Sequence, residues 1–341
     1  MSQYLGYFEQ YIMRRIGIHF IGMTLVCMML IGCQRQRRYS FAEGTAWNTL
    51  YHITYSGPSE LGDSIRPILD RIGKSVSVFD QESLVSRLNV SDSCMTDEAL
   101  RRIYLLSVKV NSESDGMFDP TLSPLITAWG FGKGHRATSD TLRLDSLLAL
   151  TGIGKTDFRS GFICKPNRNM QFNFSAIAKG YGCDAVGKWL VSKGVTNYLV
   201  EIGGEIACKG RNPKGHPWSI SIDKPVTDPK GNRHISQLKI FVTDCGIATS
   251  GNYRNYHEKK GVRYGHTISP RTGRPVQTDI LSATVIAPTA MEADAYATAC
   301  MAMGSLNAKK MINRLGLKVM LIMDDSSVWE SDGFIRYIER Q

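Results

Sequence analysis

Strand-forming and helix-forming patterns follow one another along this chain without a regular βα alternation, and that irregular order most limits the folds open to it. Thr45 to Tyr55 alternates like a strand, and Leu61 to Lys74 carries apolar residues at helical spacing. Asp97 to Ser112 reads as an amphipathic helix capped by Thr96. Gly116 to Gly134, rich in Gly, Pro and aromatics, reads as a loop. Ala176 to Lys193 is helical and leads into a strand at Asn197 to Ile202. Further strands are predicted at Trp218 to Asp223, Leu238 to Thr243, Ser282 to Ala287 and Lys318 to Met323, with helices at Glu292 to Met303 and Ser305 to Leu315. This order points to an α+β fold, mixed or antiparallel sheets packed with helices, and not to a doubly wound sheet. No linker or internal repeat divides the chain after residue 40, so one compact unit is expected.

The N-terminus stands apart from that unit. Arg14 and Arg15 precede an apolar run from Ile16 through Ile31 that stops at Gly32-Cys33, too short for a comfortable membrane span and suited to a secretory signal. Leu30-Ile31-Gly32-Cys33 resembles the lipobox of bacterial lipoproteins, in which the cysteine is acylated and becomes the mature N-terminus. The expected division is therefore a signal peptide over 1–33 ending at the lipidated Cys33, a tether over 34–42 and a folded domain over 43–341. An uncleaved anchor with an incidental cysteine is the alternative, and Met13 is a second possible start.

Of eight cysteines, six lie beyond Cys33, widely scattered and without a C-x-x-C pair, which argues against zinc or iron–sulfur ligation; mostly free, buried thiols are expected. The net charge of +10 places Arg35, Arg37 and Arg38 just after Cys33, where they suit an anionic bilayer surface. The remaining basic residues are mixed with acidic ones, without a basic helix or interleaved aromatics, so the chain does not read as a nucleic-acid binder. A phosphate-bearing substrate fits the same charge.

Five segments could carry chemistry. Gly116 to Leu125 followed by Trp129-Gly-Phe-Gly132 sets Asp119 before Pro120 beside aromatics, as a turn or as a place for a flat ring. Asn173-Phe-Ser-Ala-Ile-Ala-Lys179-Gly-Tyr-Gly-Cys-Asp184 brings one lysine to a helix start, either solvated or part of a phosphate site. Glu201-Ile-Gly203-Gly204-Glu205 ends a strand in two glycines, an ordinary turn or a place of close ligand approach. Ala248 to Arg254 and Tyr264 to Pro275 collect hydroxyls, His266 and arginines on either side of a hairpin tip at Glu258 to Arg263; such a set could grip a diphosphate. Met291 to Thr298 places Asp294 and Thr298 four apart, on one helix face, able to direct oxygen ligands at one point as Mg²⁺ prefers.

Taken in order, from Glu43-Gly-Thr45 through the helix that begins near Glu292, these segments resemble the FAD:protein FMN transferase family, also called the ApbE or flavin transferase family. The resemblance implies an ApbE-like fold and an Mg²⁺-dependent phosphoryl transfer: a protein threonine attacks the FAD pyrophosphate, AMP leaves, and FMN remains joined through a phosphoester. It implies a metal held by the Ala176 carbonyl, Asp294 and Thr298. The FAD site would be lined by Phe79, Met117, Phe118, Asp119, Asn173, Lys179 and Ile268, and His266 and Asp294 are candidates for assisting deprotonation of the hydroxyl. The implied acceptors are threonine-bearing subunits of membrane redox complexes, near which a periplasm-facing lipid anchor would hold the enzyme. Three positions depart from the family pattern: Glu43 for Met, Asn173 for Asp, and Ser269 for the Asp of His-x-x-Asp-Pro. An FAD pyrophosphatase would need the same metal and diphosphate site, whereas a non-catalytic FAD-binding lipoprotein is favoured by the two lost carboxylates and opposed by the presence of Asp294 and Thr298.

Overall fold

The computed structural model describes residues 38–131, 141–225, 235–251, 256–259, 262–265 and 267–338. The chain divides into Met1–Arg38 and Tyr39–Gln341, and every element described lies in the second. Cys33 and the rest of the expected signal lie outside the described residues.

The single strand expected over Thr45 to Tyr55 is a hairpin. β1 (Tyr39–Ala46) pairs antiparallel with β2 (Thr49–Ser56), and the turn between them has Trp47 at φ 51° and Asn48 at φ 63°. Two positive φ values in a two-residue loop match the twist of the flanking strands, and Asn tolerates that geometry better than most residues. Residues 39–42, expected in the tether, belong to this sheet. Tyr39 donates its hydroxyl to the Arg211 carbonyl at 2.7 Å, and buried Ser40 donates to the Gly57 carbonyl at 2.7 Å.

Then come α1 (Ile65–Val76), α2 (Leu84–Val90), β3 (Ser93–Met95) and α3 (Glu98–Glu113). The cap of α3 is Asp97, whose Oδ1 accepts the Leu100 N–H at 2.8 Å; Thr96, expected in that role, donates its hydroxyl to the Gly161 carbonyl instead. The stretch expected as loop holds α4 (Ser123–Ala128), with Pro124 in its first turn, where a missing N–H costs nothing. After α5 (Thr141–Ala149), β4 (Asp157–Arg159) and β5 (Phe162–Cys164) complete a small sheet with β3.

The second half begins with α6 (Ala178–Ser192), β6 (Tyr198–Ile202), β7 (Glu205–Lys209), β8 (Trp218–Asp223), β9 (Ser236–Val242) and β10 (Cys245–Gly251). β11 (Tyr256–Lys259) and β12 (Val262–Gly265) pair antiparallel with Glu258 opposite Arg263, in the hairpin the sequence suggested. β13 (Ile280–Ala287), α7 (Ala290–Leu315), β14 (Lys318–Met323) and β15 (Val328–Glu330) end the fold. The main sheet runs β1-β2-β6-β7-β10-β13-β14-β15, antiparallel at each pairing. The α+β expectation holds.

β13 is buried along nearly its whole length, because both faces of the sheet are covered. One face packs on α6 and α7, whose buried side includes Ala293, Ala297, Met301 and Ile312. The other meets the β8–β9 hairpin and Phe334 through Ile206, Ile247, Ile286 and Ile322. The two helices expected after Glu292 form one run bent at Gly304, at φ 71° and ψ 163°. Asp279 caps the second half, its Oδ1 accepting the Ser305 N–H at 2.9 Å. No helix among the described residues is long and apolar enough to cross a membrane.

Candidate active site

The segment leading into α6 is shaped by its own polar groups. Asn173 Oδ1 accepts from the Ser175 N–H at 2.9 Å and from the Ser175 hydroxyl at 2.6 Å, a side-chain turn that aims the chain into the helix. The Asn173 N–H donates to the Pro120 carbonyl at 2.7 Å, tying this segment to the Met117–Asp119 stretch. Trp129 Nε1 donates to the Gly273 carbonyl at 2.7 Å, tying the aromatic segment to the one that follows His266.

Lys179 lies in the first turn of α6. Its Nζ is 2.6 Å from Oε2 of Glu205, at the start of β7, and 3.5 Å from the Gly203 carbonyl. Gly203 and Gly204 have φ of 60° and 100°, which turns the chain so that Glu205 enters the sheet beside Lys179. On the next helix Asp294 is buried, 5% exposed, and its Oδ2 accepts the Gly180 N–H at 3.1 Å. The close approach of α6 to α7 needs a glycine there: a Cβ on Gly180 would overlap the Ala290 carbonyl. Asp184, one helical turn on, accepts the N–H groups of Ala290 and Met291, each at 2.9 Å, and so fixes where α7 begins.

Two buried carboxylates thus face one ammonium. Burial and the Asp294 charge raise Glu205 far above the usual carboxylate range, against the pull of Lys179. Burial likewise raises Asp294, with Lys179 and the Gly180 N–H opposing. Burial alone would lower Lys179, but Glu205 and Asp294 together outweigh it, and its pKa is raised.

The donor set suits a hard cation. Asp294 Oδ1 and the Thr298 hydroxyl take no hydrogen bond among the described residues, and both belong to the same face of α7. Ala176, half-buried, precedes α6 by two residues. Among the described residues no group of three His, Cys, Asp or Glu side chains could hold a metal by itself. A carboxylate, a hydroxyl and a carbonyl match Mg²⁺, which keeps waters and leans on substrate phosphates, and do not match zinc.

The remaining residues named from the sequence take varied positions. Phe79 is 65% exposed in the turn between α1 and α2. Met117 is half-buried, and the Phe118 ring lies in the main core at 2% exposure. Asp119 Oδ1 accepts the Thr121 N–H at 2.8 Å and hydroxyl at 2.6 Å, while Oδ2 accepts the Ile153 N–H at 3.3 Å; its carboxylate therefore serves the loop, and burial raises its pKa. Ile268 is buried in a satellite cluster with Leu122, Leu125, Ala128 and Leu144. His266 lies outside the described residues. Glu205 and Asp184 each end a segment singled out in the sequence, but neither carries an expected role there. The available signal for Glu205 was a carboxylate placed immediately after a glycine pair at a strand end.

Two solved structures with this architecture are flavin transferases. ApbE from Vibrio cholerae superposes with a TM-score of 0.80 at 32% identity, covering 88% of this chain and 99% of that one. The apo form of Pseudomonas stutzeri flavinyl transferase ApbE gives a TM-score of 0.80 at 29% identity, covering 89% and 98%. The sequence model of the ApbE family matches residues 47–321, and the chain belongs to that family. It is 34% identical over 323 residues to the FAD:protein FMN transferase of Vibrio cholerae, 91% of this chain and 93% of that protein. It is 30% identical over 343 residues to the FAD:protein FMN transferase of Escherichia coli K12, 93% and 97%.

Proposed function

We propose that this chain, an FAD:protein FMN transferase, joins FMN through a phosphoester to a threonine of membrane flavoprotein subunits and releases AMP, with Mg²⁺ as its cofactor. The observation that carries the reading is the meeting of Lys179, Glu205 and Asp294 where α6 and α7 begin, with one oxygen of Asp294 left for a ligand.

Asp294, the Thr298 hydroxyl and the Ala176 carbonyl would hold the ion. An ion held there would supply positive charge to the pyrophosphate oxygens. Lys179, anchored by Glu205, brings an ammonium to the α6 N-terminus, whose N–H groups favour phosphate oxygens. The threonine oxygen bonds to the FMN-side phosphorus, the bond from that phosphorus to the bridging oxygen breaks, and AMP departs with that oxygen. His266 and Asp294 are the candidates to take the hydroxyl proton. Phe79, the Met117–Asp119 stretch, Asn173 and Ile268 line the FAD site. Cys33, as a lipidated N-terminus on the periplasmic side of a membrane, keeps the enzyme close to its acceptors, and Arg35, Arg37 and Arg38 support that reading.

The test is to incubate the protein with FAD, Mg²⁺ and a threonine-bearing flavoprotein subunit, then measure intact acceptor mass and free AMP. A mass gain of FMN minus water, absent in Asp294→Ala, is the expected result. AMP and free FMN with an unlabelled acceptor would indicate an FAD pyrophosphatase, and intact bound FAD a flavin-binding protein without the activity.

A further inference from the structure

β7 and β10 are neighbours in the middle of the main sheet, and Cys208 of β7 stands directly opposite Cys245 of β10 in their antiparallel register. Directly opposed residues of such a pair have Cα atoms about 4.5–5.5 Å apart, within the range that a disulfide spans. The two Sγ atoms are 3.8 Å apart. Cys208 is 3% exposed and Cys245 half-buried, both under the β8–β9 hairpin, so a small reagent reaches the pair through Cys245.

None of the other cysteines among the described residues is placed this way. Cys183 and Cys300 are fully buried, and the Cys183 thiol donates to the Glu205 carbonyl. Cys94 and Cys164 lie in neighbouring strands, but Cys94 opposes Ile163 and Cys164 opposes Ser93. Successive residues of a strand face opposite sides, so those two thiols point away from each other.

The geometry points to Cys208 and Cys245 as a redox modification site, a dithiol that an external disulfide converts to a cross-strand disulfide. The Cys245 thiolate attacks one sulfur of the external disulfide and releases its other half as a thiol. The Cys208 thiolate then attacks Cys245 Sγ and releases the second thiol, so the protein loses two hydrogens and the oxidant gains two. The bond closes the loop that carries the β8–β9 hairpin and limits the unfolded chain. An exported location would supply the oxidising surroundings in which such a bond persists. The site is independent of the flavin chemistry.

The experiment exposes the reduced, folded full chain to excess oxidised glutathione, traps remaining thiols by alkylation and maps the peptides by mass. The expected result is a linked peptide pair containing Cys208 and Cys245 and a Tm roughly 5 °C above that of the reduced protein. Cys208→Ala and Cys245→Ala, each with a reduced-state Tm near that of the parent, should lose both. Recovery of Cys208 and Cys245 alkylated, or as separate glutathione adducts, would overturn the assignment. So would a cross-link that joins a different pair.

Discussion

The Gly180 N–H donates to Asp294 Oδ2 at 3.1 Å, joining the first turn of α6 to the start of α7 through the residue that the proposed metal site needs. Because a Cβ at position 180 would overlap the Ala290 carbonyl, Gly180→Ala must push the helices apart. The expected loss is about 1–3 kcal/mol of stability. AMP release should fall on the order of 100-fold, since displacement by about 1 Å is enough to misalign phosphoryl transfer. Denaturant unfolding and an AMP assay measure the two effects, and parent-like values in both would remove Gly180 from this role.

Lys179→Met leaves Glu205 and Asp294 without their ammonium. The expected cost is roughly 2 kcal/mol, below that of a fully buried pair because the Lys179 side chain keeps 34% exposure. Adding Glu205→Gln removes one of the opposed charges and should restore much of the Tm. Transferase activity should stay low, because the cation proposed to face the diphosphate is still missing. Recovery of activity together with stability would show that Lys179 is purely structural.

Asp294→Asn keeps an oxygen for the Gly180 N–H but removes the charge that would hold Mg²⁺. Its fold should be retained, with AMP release lowered at least about 100-fold at any Mg²⁺ concentration. Thr298→Val should instead raise the Mg²⁺ concentration needed for half-maximal activity. Chelation should stop the parent enzyme and Mg²⁺ should restore it. Full activity in chelator would exclude the metal reading.

Asp184 supplies a pH dependence of stability. Burial raises its carboxyl from 3.8 to about 6, outweighing the N–H groups of Met291 and Ala290. A folded-state value above the unfolded one means that the folded protein holds the proton more tightly. The stability from that proton is full below about pH 4 and is lost as pH rises through about 6. Compared with Asp184→Asn, the parent should therefore lose stability over this window, by on the order of 3 kcal/mol. Parallel pH profiles for the two proteins would show that the carboxylate is solvated after all.

Most helices and several strands were legible because their signals are local. Trp218–Asp223 and Lys318–Met323 alternate or run apolar along their own length, and the interruption at Gly304 is written as a glycine between two periodic stretches. The β1–β2 hairpin was missed because its turn, Trp47-Asn48, has no glycine, and strand-forming residues continue on both sides. The strand Cys245–Gly251 was missed for a related reason: its small residues accommodate the neighbouring helix and carry little strand propensity, with Gly246 lying where a Cβ would overlap Ala290.

For the site, residue types and their order could be read locally: Lys179 in a helix start, the glycine pair before Glu205, and Asp294 with Thr298 on one helix face. These follow from periods and turn preferences that act over a few residues. Which of them meet depends on the packing of distant elements. The Lys179–Glu205 contact spans 26 positions, and the Gly180–Asp294 contact spans 114. Both depend on how closely α6 can approach α7 and β7, which packing sets and local pattern does not. The same holds for Cys208 and Cys245, unremarkable in a scattered set until strand register placed them face to face.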